Sequence, residues 1–127
     1  MDISRRKALH AAAVAALVGD VTGQQKSPMY GLIGKITAVT GKRGALATIL
    51  LESTVAMPGC LSYVIANDPK EPDTLWVTEV WESEADHKAS LALPAVKDAI
   101  AKGRPLIASF GECHETVPVG VHGIRVR

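Results

Sequence analysis

Residues 74–83 read TLWVTEVWES, and the alternation within them organises the rest of the chain. Their β-branched and aromatic content marks a strand, and the closing serine is a residue that caps helices. Successive strand side chains point to opposite sides, so Leu75, Val77, Glu79 and Trp81 share one face while Trp76, Thr78 and Val80 share the other. Both faces carry large apolar groups. One helix layer can bury only one of them, so the second requires a partner chain or a ligand pocket. Glu79 stands in the middle of this apolar run, where an unpaired carboxylate would be costly.

Working backwards, residues 68–73 (DPKEPD) combine two prolines with four charges and read as a loop. Residues 61–67 (LSYVIAN) before it form a second strand, with Leu61, Tyr63, Ile65 and Asn67 on one side, so the two strands make a hairpin. Residues 30–39 (YGLIGKITAV) are a further strand whose one charge is Lys35. Between these strands the period changes. Leu46, Ile49, Leu50, Ser53 and Met57 recur at helical spacing over residues 42–57, and Pro58-Gly59 stops the helix.

Working forwards, Ser83-Glu84-Ala85-Asp86 resembles a capping box. The helix it opens carries His87 and Leu91 on one face and ends before Pro94. Pro94 suits the first position of another short helix, whose Val96, Ala99 and Ile100 face inward before Gly103 closes it. Residues 106–117 (LIASFGECHETV) form the last strand, bent near Gly111, and a Gly- and Val-rich tail follows from Pro118. The order strand, helix, strand, strand, helix in two pieces, strand is the ferredoxin-like α+β pattern with an antiparallel four-stranded sheet. Helices on one face leave the other apolar and open, which predicts a homodimer closed sheet to sheet.

Composition narrows the function. A net charge of +1 over 127 residues, with 4% aromatics, lacks the basic stripe of a nucleic-acid binder. Cys60 and Cys113 lie in different strands without a CxxC or a His/Cys cluster, so free structural thiols are expected and a zinc site is not. At the N-terminus Ser4-Arg5-Arg6-Lys7-Ala8-Leu9 leads into an apolar run over residues 8–18, the layout of a twin-arginine export signal. That predicts a periplasmic or secreted protein; the alternative is an Ala-rich helix or tail on a cytoplasmic one. The run is too short for a permanent membrane span. The expected layout is therefore an N-terminal segment and linker over 1–28, a domain over 29–117 and a tail over 118–127.

Three motifs in order resemble the antibiotic biosynthesis monooxygenase (ABM) family: Gly41-Lys42-Arg43, Pro58-Gly59-Cys60-Leu61-Ser62-Tyr63 and Glu79-Val80-Trp81-Glu82-Ser83. The likeness runs from about Tyr30 to Val117. It implies a dimeric α+β barrel that oxidises quinols or polyketide anthrones with O2, using no metal, flavin or haem. The chain departs from many members by having Ser90 and Ala95 where they carry histidines, while His87 lies one turn before the first of those places. In a similar haem-degrading branch the first strand supplies an asparagine, this helix a tryptophan, and a later position a histidine. Gly34, Ser90 and Ile100 stand there in this chain, which disfavours haem degradation.

For such chemistry the candidate catalytic residues are His87 and Glu79. His87 is either a base, for which its ordinary pKa is suited, or a helix residue packed on the sheet edge. Glu79 is either a base whose pKa is raised by burial or one half of a cross-strand ion pair with Lys35. Tyr63 and Asn67, on one side of their strand, are candidates for hydrogen-bonding a substrate oxygen. Trp76 and Trp81 are on opposite faces, so at most one lines a cavity and the other packs under the helices. Cys113, His114 and Glu115 read as ordinary strand residues, because alternation separates the histidine from its neighbours. The rivals to a monooxygenase are a non-catalytic dimeric barrel that binds a small hydrophobic metabolite, and an isomerase or decarboxylase on the same barrel.

Overall fold

The computed structural model describes residues 27–54 and 56–123. The expected export signal and most of the linker lie outside the described residues, as does the end of the tail. Among the described residues no helix is long and apolar enough to cross a membrane. The elements are β1 (Tyr30–Ala38), α1 (Arg43–Glu52), β2 (Cys60–Asn67), β3 (Thr74–Trp81), α2 (Glu84–Ser90), α3 (Pro94–Gly103) and β4 (Ile107–Thr116), with a 3-10 turn at Arg104–Leu106. The antiparallel sheet runs β2-β3-β1-β4, the ferredoxin-like order expected from the pattern.

The two faces of β3 fare differently. Leu75, Val77 and Trp81 are buried, and Leu75 joins Leu46 of α1 and Ala38 of β1 in the core. Burying a leucine is worth about 1.5–3 kcal/mol, so this cluster is the main anchor of α1 on the sheet. Trp76, Thr78 and Val80 are only half-buried, and Val64 beside them on β2 is exposed. The helices therefore cover one face and leave the other to solvent.

Local chemistry sets the ends of the elements. Gly41 (φ 80°) turns the chain after β1, and its amide donates to Asp73 Oδ1 at 2.9 Å. Arg43 then ties the start of α1 to the β2–β3 loop by donating from Nη1 to the carbonyls of Asp68, Glu71 and Thr74. Helix α1 stops at Glu52, more than a turn short of the expected Met57. The Ser53 and Thr54 hydroxyls donate back to the carbonyls of Leu50 and Leu51 at 2.8 and 2.7 Å, a local competition that ends helices.

At α2 the expected cap is present: Ser83 Oγ accepts from the Asp86 amide at 3.1 Å, with Glu84 and Asp86 in the positive first turn. Gly59 (φ 82°) passes so close that a Cβ there would meet the Asp86 carboxylate at 2.5 Å. In α3, Val96 and Ala99 point inward as expected, but Ile100 is 41% exposed and the inward place is taken by Gly103. Strand β4 is irregular around Gly111: Cys113 pairs with Gly34 and Phe110 with Ile36, so two residues oppose Lys35 where one would in a regular ladder.

Candidate functional site

The register places a row of side chains across the helix-covered face. Tyr63 on β2 and Leu32 on β1 both face Glu79 on β3, and Leu32 in turn faces Glu115 on β4. Tyr30 faces Trp81 on the next row out, and Val77, Gly34 and Cys113 form the next row in. Glu79 is thus surrounded on three sides.

Its carboxylate has a defined set of neighbours. Trp81 Nε1 donates to Glu79 Oε1 at 2.9 Å, and His87 Nε2 lies 3.9 Å from the same oxygen. The Glu79 and His87 side chains are 16% and 19% exposed, so solvent screens the pair only weakly. The imidazole is held between Tyr30, 5.3 Å away between ring centroids, and Trp81, 5.4 Å away and edge-on. Ser83 positions this arrangement, because the cap fixes where α2 starts and His87 comes one turn later. Trp81 is 1% exposed and acts as a buried prop for both members of the pair.

Two phenols border the site, Tyr63 beside the carboxylate and Tyr30 beside the imidazole. Tyr63 is pushed to a higher pKa, first by burial and then by the charge on Glu79. Tyr30 donates to Glu115 Oε2 at 2.6 Å, and that hydrogen bond is the main reason its phenol is pushed up to about 12. Both hydroxyls therefore remain donors at any physiological pH. The Cys60 thiol is also pushed up, by burial first and the Glu79 charge second, so it is a poor nucleophile there.

Glu79 and Tyr63 open onto a hollow of about 200 Å³ lined by all four strands, with Leu32, Gly34, Val77 and Cys113 beneath it. Gly34 makes the room: a Cβ at this position would touch only Cys113 Sγ, at 3.9 Å. His87 is not part of the lining; it stands behind Glu79. A larger depression of about 720 Å³ lies by Ser27, Pro28, Val117 and Pro118 at the rim of the domain, away from Glu79. Among the described residues no three His, Cys, Asp or Glu side chains are grouped to hold a metal ion.

The candidates drawn from the sequence divide accordingly. His87, Glu79, Tyr63 and Trp81 come together. Asn67 does not, because it pairs with Leu75 toward the other end of β2 and is exposed. Trp76 lies on the opposite face, where its Nε1 donates to Asp68 Oδ2 at 2.8 Å, and Trp81 is the tryptophan that packs under the helices.

The Lys35–Glu79 ion pair does not form. Lys35 faces Trp76, its ammonium 5.6 Å from the indole and 3.4 Å from Glu71. The strands are adjacent as anticipated, but the register puts the two charges on opposite faces. Cys60 and Cys113 are both free thiols, as expected. Reading the last strand as ordinary missed Glu115 and Cys113, although His114 does point away, toward Glu112. Tyr30 was missed too. Its partner is 85 residues away, and only the β1–β4 register brings them together.

The chain matches the family described as antibiotic biosynthesis monooxygenase over residues 29–102. In structure it is similar to a Chloroflexus aurantiacus protein provisionally named an antibiotic biosynthesis monooxygenase. That pair is 66% identical, with 76% of this chain and 99% of the other covered and a TM-score of 0.74. A Caulobacter crescentus protein with the same provisional name is 20% identical over 74% of this chain and 92% of its own, with a TM-score of 0.67. A Pseudomonas aeruginosa protein is likewise 20% identical, over 76% of this chain and 100% of its own, with a TM-score of 0.66. The two distant likenesses concern the fold alone. Comparison with curated proteins gives no match.

Proposed function

The chain belongs to the antibiotic biosynthesis monooxygenase family, and from that premise we propose that it oxidises a quinol, an anthrone or a similar electron-rich aromatic with O2, without a metal or organic cofactor. The observation that carries this reading is a partly buried carboxylate at the wall of an apolar hollow, with one donor already on it and a protonated phenol beside it.

The substrate supplies the electrons. A hydroquinone and O2 give a hydroxyquinone and one water; an anthrone CH2 and O2 give a carbonyl and one water. In each case one oxygen atom enters the ring and the other leaves as water. The protein's task is to generate and hold the electron-rich anion. In this reading Glu79 takes the proton from a ring hydroxyl, and Tyr63 donates a hydrogen bond to the oxyanion left behind. His87, behind the carboxylate, is a positioning residue. The space above Gly34 receives the ring. A second copy of the chain covers the open face through Ile33, Val64, Trp76 and Val80, giving a homodimer with one hollow in each protomer.

Oxygen uptake tests the proposal. Protein stripped of metal is incubated with a panel of hydroquinones and anthrones, beside a Gly34→Leu variant that fills the hollow at a position with space for a side chain. Uptake well above buffer, lost in a variant that still melts cooperatively, is the expected result. Uptake equal to buffer across the whole panel would leave a binding barrel with no oxygenase activity.

A further inference from the structure

A second hollow, of about 290 Å³, lies on the same face of the sheet between α1, α3 and β4. Apart from Arg104 and Ser109 its lining is apolar, with Leu46, Leu50, Ala99 and Ile107 prominent. Ile36 and Phe110 line this hollow and also the one beside Glu79, so the two share a wall. The first has a carboxylate and a phenol; the second has neither. Along β1 the step from Leu32, opposite Glu79, to Ile36 is four residues, or about 13 Å at strand rise.

Two side chains at the second hollow lack cover. Phe110 is 73% exposed although it stands between the hollows, and Ile100, on the rim of the second, is 41% exposed. Both would be shielded by an apolar chain leaving the first hollow along the shared wall. From this we infer that the ligand has two parts: an aromatic ring with hydroxyls, seated at Glu79 and Tyr63, and an aliphatic chain on that ring, lodged in the second hollow. The inference rests on the reading that the first hollow binds an aromatic hydroxyl compound. It adds the chain, and with it a preference for alkyl- or prenyl-substituted quinols over compact ones.

The test compares two hydroquinones that differ only in one substituent, methyl or decyl, the latter held below its micelle concentration. Dissociation constants are measured by calorimetry and turnover by oxygen uptake. The decyl compound is expected to bind about tenfold more tightly or better, the gain from burying roughly two methylenes.

Ile100→Glu places a charge in the second hollow, and Ala108→Trp fills it from the exposed edge strand. Each should bring the two affinities to within about twofold of one another, leaving the methyl compound unaffected, because hydrophobic discrimination follows the buried chain alone. Circular dichroism and thermal melting confirm that both variants fold.

Equal affinities in the parent protein would overturn the inference. So would variants that weaken both compounds alike, or failure of either compound to bind. A shift in sedimentation state caused by Ile100→Glu would overturn it as well, by assigning the hollow to self-association. Tenfold discrimination without oxygen uptake would instead leave this inference standing and remove the oxygenase.

Discussion

Trp76 and Trp81 stand five residues apart on one strand, on opposite faces of one sheet, and their surroundings differ in kind. Trp81 is sealed under α2 and spends its one donor on the carboxylate at the centre of the candidate site. Trp76 is half-buried on the open face, bonded to a loop aspartate and capped by a lysine. Enclosure makes the difference. A carboxylate on the covered face meets little water and few competing donors, so its charge acts on its neighbours; on the open face the same charge is screened. In the proposed function the covered face carries the proton chemistry and the open face the contact between copies.

Stability provides the largest contrast. Trp81→Ala should cost about 3–5 kcal/mol in urea unfolding, since it leaves a cavity in the core. Trp76→Ala should cost the protomer only about 1 kcal/mol through its lost hydrogen bond. Any further loss at Trp76 should grow with protein concentration, as for a residue buried by self-association. Equal losses at the two positions, independent of concentration, would erase the distinction. Next in size is Val64→Lys on the open face. If the proposed homodimer closes over this face, the added charge should shift sedimentation toward a monomer and remove only the concentration-dependent part of the melting temperature. A dimer that survives this change would place the contact elsewhere.

Much of this arrangement was legible in residues 74–83. Period-two alternation gave both faces of β3, and Ser83 gave the start of α2, which together bring Glu79 and His87 to the same region. Register was not legible. Lys35 and Glu79 lie on neighbouring strands, yet their pairing depends on parity, and a one-residue difference decides which face each side chain takes. The same limit hid Tyr30 and Glu115, whose meeting depends on the irregular β1–β4 ladder. Apolar spacing in α1 continues to Met57, but the Ser53 and Thr54 hydroxyls end the helix at Glu52, a competition that periodicity does not reveal.

The tyrosines differ by a smaller energy. The chain has two, and both phenols are raised, Tyr30 by its bond to Glu115 and Tyr63 by burial beside Glu79. A phenol raised in the folded state contributes stability that is complete below its free value of 10.0 and is lost, for Tyr30, as pH climbs through about 12. Absorbance at pH 10 should therefore show almost no tyrosinate in folded protein, where unperturbed residues would be half ionised. Glu115→Gln should return Tyr30 toward its ordinary range without moving Tyr63.

The smallest effect belongs to the open face. Asp68 is held down to about 2 from 3.8, first by Trp76 Nε1 and then by the Lys70 and Glu71 amides. A depressed carboxyl contributes stability that is present above its free value and fades as pH falls toward 2. Asp68→Asn should flatten that acid limb slightly, as expected for an exposed, screened group. A large change would show that the loop matters more to the open face than its exposure suggests.

The central claim is that Glu79, turned toward the hollow, takes the substrate's proton. The direct measurement is steady-state oxygen uptake by Glu79→Gln, an isosteric change that keeps an acceptor for Trp81 but removes the base. A fall in kcat of about a hundredfold, with quinol still bound, is the predicted result. Turnover at the parent rate in a folded Glu79→Gln protein would contradict it.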